Sequence, residues 1–234
     1  MSAVDDRLAE LAVRWELPEA APAQLRVILD LVGTEQSSIT TVRDPAQGVE
    51  VHVADSLAGL EITAIRNATT IADLGSGGGF PGLALAAALP SARVTLVESV
   101  GKKCEFLRRA ADTAGLANVE VVNARAEAWP AGIGTQDVVT ARALGALNVL
   151  AEYAAPLLVG GGSLVAWKGQ KDPSEEADGM AAASQLGLEP QPPHRVDAAK
   201  GAEHRHLYVY LKVSPTPSRY PRREGMARKR PLRA

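Results

Sequence analysis

The chain has 234 residues, a formal net charge of −2, 46% hydrophobic and only 4% aromatic residues, which suits one ordinary domain with a mainly aliphatic core. Its single cysteine, Cys104, excludes an internal disulfide framework and a cysteine-based zinc cluster. No apolar run approaches the roughly 20 residues of a membrane helix, and the start, Met1-Ser2-Ala3-Val4-Asp5-Asp6, lacks the basic-then-apolar order of a secretion signal, so a cytoplasmic protein is expected.

Residues 1–66 read as helical. Leu8, Leu11, Ala12 and Trp15 recur at helical spacing, as do Leu25, Ile28, Leu29 and Val32. Asp44-Pro45-Ala46-Gln47 predicts a helix start: a capping side chain, proline in the first turn, and Gln three positions after the cap. The helix it opens carries His52, Asp55 and Ser56 on one face. From residue 70 short β-rich runs alternate with helices. Strands are predicted at 70–74, 93–98, 119–123, 137–141, 163–168 and 207–211, with helices at 83–89, 102–114, 147–153 and 175–186. Strands joined by helical crossovers predict an α/β fold, an open and mostly parallel sheet covered on both faces. The expected division is a helical extension over 1–66, a catalytic domain over 67–213 and a tail over 214–234. The charge is split along this division. From residue 212 onward there are eight basic residues and one acid, Glu224, a net of +7, leaving −9 on the rest. With Pro215, Pro217, Pro221 and Pro231 the tail cannot form a long helix, so it is predicted as an extended basic arm for a polyanion.

Gly75-Ser76-Gly77-Gly78-Gly79-Phe80-Pro81-Gly82 joins the first strand to its helix. Glycines serve sharp turns and close approach of a ligand to the main chain. In an open α/β sheet this turn lies at the carboxyl end of the strand, where nucleotide-like ligands dock. A P-loop is excluded, because the loop has no Gly-Lys-Ser/Thr after it. Glu98 ends the second strand, 23 positions after Gly75, where a carboxylate accepts from ribose hydroxyls. Two cofactor classes fit, NAD and S-adenosylmethionine. The Gly-x-Gly-x-Gly spacing departs from the Gly-x-Gly-x-x-Gly of dinucleotide sites. Asp73, two positions before the loop, would repel a pyrophosphate but suits a cationic sulfonium and its amino group. The loop favours S-adenosylmethionine.

The run Asp73-Leu74-Gly75-Ser76-Gly77-Gly78-Gly79-Phe80-Pro81-Gly82 resembles the signature of the RsmG (GidB) family, the bacterial 16S rRNA guanine-N7 methyltransferases. The similarity continues in Thr40-Thr41-Val42-Arg43-Asp44-Pro45, in His52-x-x-Asp55-Ser56-Leu57 and in Glu98-Ser99-x-Gly101-Lys102-Lys103. Arg125-Ala126-Glu127, Ala141-Arg142-Ala143, Lys168-Gly169, Arg205-His206-Leu207 and Tyr220-Pro221-Arg222-Arg223 come in the family's order, so the match spans roughly residues 36–232. The family commonly has Asn-Leu-Thr where this chain has Ser38-Ile39-Thr40, and Asp where Glu98 stands.

The resemblance implies a class I, Rossmann-like S-adenosylmethionine-dependent methyltransferase fold with a seven-stranded, mostly parallel sheet. It implies a cofactor site of Asp73, Gly75, Gly77, Gly79, Phe80, Glu98, Ala126, Glu127 and Arg142. On the substrate side it implies Arg43, His52, Lys168, Arg205 and His206, with Arg222 and Arg223 of the tail on the RNA backbone. Arg142 and Lys168 are the expected catalytic residues, acting by position and charge. Guanine N7 carries an in-plane lone pair and no proton, so its methylation needs no general base. The implied partner is 16S rRNA or a small ribosomal subunit particle, and the implied protein is a metal-free monomer. Two other readings stay open on the residues alone: a class I methyltransferase for a protein or small molecule, and an NAD-binding oxidoreductase. His52, Asp55 and Ser56 also read as a pin between the N-terminal helices and the sheet.

Overall fold

A computed structural model describes residues 2–196 and 204–234. Helix α1 (Ala3–Trp15) opens on a capping box between Ser2 and Asp5 and buries Val4, Leu8, Leu11 and Trp15. Helix α2 (Ala21–Thr34) buries Leu25, Ile28, Leu29 and Val32. The Asp44 cap is present, its carboxylate accepting from the amides of Ala46 and Gln47. The regular helix that this cap predicts does not form. Helix α3 (Pro45–Gly48) instead runs into a π-helical turn at Val49–Ala54. Then come α4 (Asp55–Leu57), a 3₁₀ turn at Ala58–Glu61 and α5 (Thr63–Arg66). Val49, Val51 and Val53 are β-branched and stiff, which weakens a regular α ladder there.

Strands β1 (Thr70–Leu74), β2 (Arg93–Glu98), β3 (Val119–Asn123) and β4 (Gln136–Arg142) lie where their β-rich runs predict. Strand β5 (Leu158–Lys168) starts earlier than predicted, because Gly160-Gly161-Gly162 carries no strand-forming side chains. Three more strands complete the set: β6 (Leu188–Pro190), β7 (His194–Arg195) and β8 (His206–Lys212). The sheet order is β3-β2-β1-β4-β5-β8-β6, with β7 also on β8. Strands β1 to β5 are parallel, and β8 runs antiparallel to β5. The short β6 and β7 pair with opposite ends of β8, so eight strands fill the seven expected positions. Two- and three-residue strands carry too little alternation to read from sequence.

Side chains alternate across the sheet. On one face Ile71, Val94, Leu96, Val138 and Val165 join a core with α1, α2, α6 (Gly82–Ala88) and α7 (Gly101–Thr113). On the other, Ala72, Leu74, Val97, Val139 and Leu164 pack against α8 (Leu147–Ala154) and α9 (Pro173–Leu186). Cys104 is buried in α7. The tail corrects an expectation: it is folded, not an extended arm. Tyr220 and Ala227 are buried in the second core, a short α10 (Met226–Lys229) forms, and Asn148 Nδ2 donates to the Leu232 carbonyl at 2.7 Å. The prolines block a long helix, yet these apolar anchors still fasten the segment. No helix among the described residues is long and apolar enough to cross a membrane.

Candidate cofactor and substrate site

The glycine loop closes tightly over the end of β1. Gly75 has φ +65°, and a Cβ there would meet Leu144 Cδ1 at 2.5 Å. Gly79 has φ +95°, and its Cβ would meet Leu83 Cδ1 at 2.3 Å. Only glycine satisfies both the dihedral and the space at these two points. Gly77 differs, because its amide donates to Glu98 Oε2 at 3.0 Å and a Cβ there meets nothing closer than 3.7 Å.

Two of the three expected cofactor carboxylates, Asp73 and Glu98, sit deeper than their spacing suggested. Asp73 is fully buried: Oδ2 accepts from the Gly82 amide at 3.2 Å and Oδ1 from the Thr140 hydroxyl at 2.9 Å. Burial pushes its carboxyl up to about 6. It ties β1 to β4 and to the start of α6, and the expectation that it faces a sulfonium is corrected. Glu98 lies between two loops, accepting from the amides of Gly77 (3.0 Å) and Val100 (2.9 Å). Its carboxylate therefore shapes the glycine loop, the neighbour of any ligand bound there.

Across the loop, Phe80 carries a stack. The His52 ring lies 4.9 Å from it at 11°, and the Arg142 guanidinium lies 5.9 Å from its centroid. His52 is 5% exposed, with Nε2 at 3.0 Å from the Val42 carbonyl. If Nε2 donates there, Nδ1 is a bare lone pair, and it has no partner. Burial pushes the His52 pKa down, which keeps the ring neutral. The pin reading of His52 fits this geometry; a face open to substrate does not. Beside it, Asp55 is completely buried and binds two arginines, Arg142 Nη1 at 2.8 Å and Arg205 Nε at 2.6 Å. Arg142 also donates to the Val51 carbonyl at 3.0 Å. The indole N–H of Trp167 donates to the Asp55 carbonyl at 2.9 Å. Asp55, directly after the π turn, faces the ends of β4 and β8.

Lys168, at the end of β5, pairs with Glu175 at 2.5 Å and donates to the Gly145 carbonyl at 3.1 Å. His206 stands opposite it on β8, with Nδ1 at 2.9 Å from the His204 carbonyl. Arg142, Lys168, Arg205 and His206 thus gather at one end of the sheet. Arg43 is exposed, donating to the Ser37 carbonyl at 3.2 Å. Arg222 corrects another expectation: it pairs in a two-pronged contact with the buried Glu152, its Nε at 2.6 Å from Oε1, and so faces the protein interior. Arg223 is exposed.

The carboxyl ends of β1 to β4 enclose a cavity of about 180 Å³. It is lined by Gly75, Ser99, Ala126, Glu127, Leu144 and Arg228, so three of the predicted cofactor residues meet there. Backbone polar groups, the Ser99 and Tyr153 hydroxyls, the Glu127 carboxylate and the Arg125 and Arg228 guanidiniums suit a polar nucleoside with several hydrogen-bonding groups. A larger cleft of about 820 Å³, by Lys212 and Thr216, opens at the amino end of β5, away from these loops. Open α/β sheets bind ligands at the carboxyl ends.

The sequence model of the GidB family, described as rRNA small subunit methyltransferase G, matches residues 26–208. The chain belongs to this family. It is 43% identical over 212 residues to the ribosomal RNA small subunit methyltransferase G of Rubrobacter xylanophilus, covering 87% of this chain and 80% of that one. The protein of the same name from Chloroflexus aggregans is 39% identical, with 96% and 97% covered. A SAM-dependent methyltransferase from Aquifex aeolicus superposes with a TM-score of 0.59 at 16% identity, over 76% of this chain and 99% of that one, which shows a shared fold. Leu144 and Arg228 line the cavity at the carboxyl ends of β1 to β4 and were not singled out by sequence reasoning. Leu144 looks like core, and Arg228 looks like one of eight tail charges. Asp55 was visible three residues after His52, but its two arginine partners lie 87 and 150 positions away.

Proposed function

We propose that this protein uses S-adenosylmethionine to methylate N7 of a guanine in small-subunit ribosomal RNA. The observation that carries the reading is the cavity formed by Gly75, Ala126 and Glu127 at the carboxyl edge of the sheet, in a chain of the GidB family. Gly75, Ala126 and Glu127 would hold the cofactor, with Phe80 and Glu98 fixing the loop above them. The chemistry supplied there is an electrophilic methyl on a sulfonium. The protein's part is to align the acceptor nitrogen and to stabilise charge.

A neutral, buried His52 agrees with a reaction that removes no proton at the acceptor. Arg142 and Arg205 share one carboxylate, leaving one net positive charge at the mouth of the cleft. That charge, with Lys168, suits the O6 and N7 edge of guanine and the phosphates around it. Arg43 and Arg223, both exposed, extend the cationic surface. The protein is read as working in the cytoplasm, on 16S rRNA or a small-subunit particle.

The test is transfer of labelled methyl to small-subunit RNA or particles from a strain lacking the gene, with mapping of 7-methylguanosine. One guanine gaining the mark is the expected result. No transfer by folded, cofactor-bound protein overturns the reading.

A further inference from the structure

One wall of the cofactor cavity comes from the folded tail. Arg228, on α10, donates from Nη2 to the Leu144 carbonyl at 2.7 Å. Leu144 packs over Gly75 and comes directly after Ala143, a non-glycine residue at φ +56°. A left-handed backbone at such a residue persists only where its surroundings hold it. Arg228 binds the carbonyl immediately after that bend. On the opposite side of the cavity, the Gly225 amide donates to Glu127 Oε1 at 2.8 Å, and Arg125 lies 3.4 Å from Glu224. The tail therefore touches both loops that enclose the cavity, the one after β3 and the one after β4.

Leu144 and Arg228 also line a second cavity of about 490 Å³, beside Asp172 and Glu175. The guanidinium stands on the partition between the two spaces. The first cavity, about 180 Å³, opens to solvent, so a nucleoside cofactor bound there would lie against the tail wall. The sheet and α6 are core. The tail wall is a four-residue helix anchored by the buried Ala227, with Arg228 and Lys229 exposed, and Arg228 is the tail side chain that lines the cavity.

We propose that Arg228 is a cofactor-binding residue and that the segment 224–228 is a strap fixed across one side of the S-adenosylmethionine site. The guanidinium has five N–H donors. One fixes Leu144 and another faces the Tyr153 hydroxyl, and a remaining donor would be placed for an oxygen or nitrogen acceptor of a bound cofactor. The strap rests on the cofactor reading above and deepens it. It also gives part of the basic tail a task other than RNA binding.

The test measures S-adenosylhomocysteine affinity by calorimetry in the full-length protein and in Arg228→Ala, Arg228→Lys and Lys229→Ala, alongside melting temperatures and separate KM values for cofactor and RNA. Arg228→Ala is expected to bind about tenfold more weakly or worse, the loss of a charge-assisted contact. Arg228→Lys recovers part of the loss, and Lys229→Ala stays within about twofold. The KM for cofactor rises while that for RNA holds. If Arg228→Ala binds the cofactor like the parent and weakens RNA instead, the strap is overturned and the cofactor reading survives. A lowered melting temperature with unchanged cofactor affinity, as in a buttress, overturns it equally. A parent protein that binds no S-adenosylhomocysteine overturns both.

Discussion

The two ends of the chain pack on opposite faces of the sheet, and each is locked by a buried acid. At the N-terminal flank the acid belongs to the extension: Asp55, after the π turn, receives Arg142 and Arg205 from the strands. At the C-terminal flank the polarity is reversed, since Arg222 of the tail reaches into the body to Glu152 on α8, which is 2% exposed. The first lock shares one carboxylate between two guanidiniums and leaves positive charge at the cleft. The second is one-to-one and leaves none. One flank therefore shapes the chemistry's electrostatics, while the other fastens the segment that walls the cavity.

Asp55→Ala should be the most damaging substitution, because it strands two arginines at once. A loss of about 4 kcal/mol in denaturant unfolding is expected. A loss below about 1 kcal/mol would mean the N-terminal flank is held by apolar packing alone. Arg222→Ala strands a single buried carboxylate and should cost about 3 kcal/mol. Adding Glu152→Gln should then recover stability, and a double variant worse than Arg222→Ala would break the proposed one-to-one lock.

Asp73 supplies a pH-dependent contrast within the body. Its folded pKa of about 6 lies above the ordinary 3.8, so folding favours the protonated form. This group's contribution to stability is therefore fully present below the ordinary 3.8 and is lost as pH rises to about 6. The size is on the order of 3 kcal/mol. Asp73→Asn should flatten stability across that window and leave cofactor affinity unchanged. Weakened cofactor binding would return Asp73 to the site. The smallest effect belongs to Glu224→Ala, whose ion pair with Arg125 is more than half exposed on both sides. Its melting curve should move by less than about 0.5 kcal/mol of stability.

Much of this was legible in sequence for a physical reason. Parallel strands inside the sheet are buried on both faces, so β1, β2 and β4 announce themselves as largely apolar runs, and the glycine loop marks its own turn through Gly75 and Gly79. Pairings across long chain separations leave no local pattern. That is why the tail's charges, counted together, suggested an arm for RNA. Arg222 and Arg228 in fact point at Glu152 and at the Leu144 carbonyl. The same limit hid the engagement of Asp73 by Thr140 and of Glu98 by the loop amides. Composition reports how much charge a segment has, and only the fold reports which way it faces.

The π turn at Val49–Ala54 carries a consequence for how this chain tolerates length changes. A π turn is an α-helix holding one residue too many. The wide turn absorbs the extra residue, so removing one residue from it would restore regular winding and leave the helix that follows in nearly the same phase. Asp55 would keep its aim at Arg142 and Arg205, and the change would stay local, at the Val51 carbonyl that accepts from Arg142. A single-codon deletion here would be absorbed by the helix and felt at that one contact.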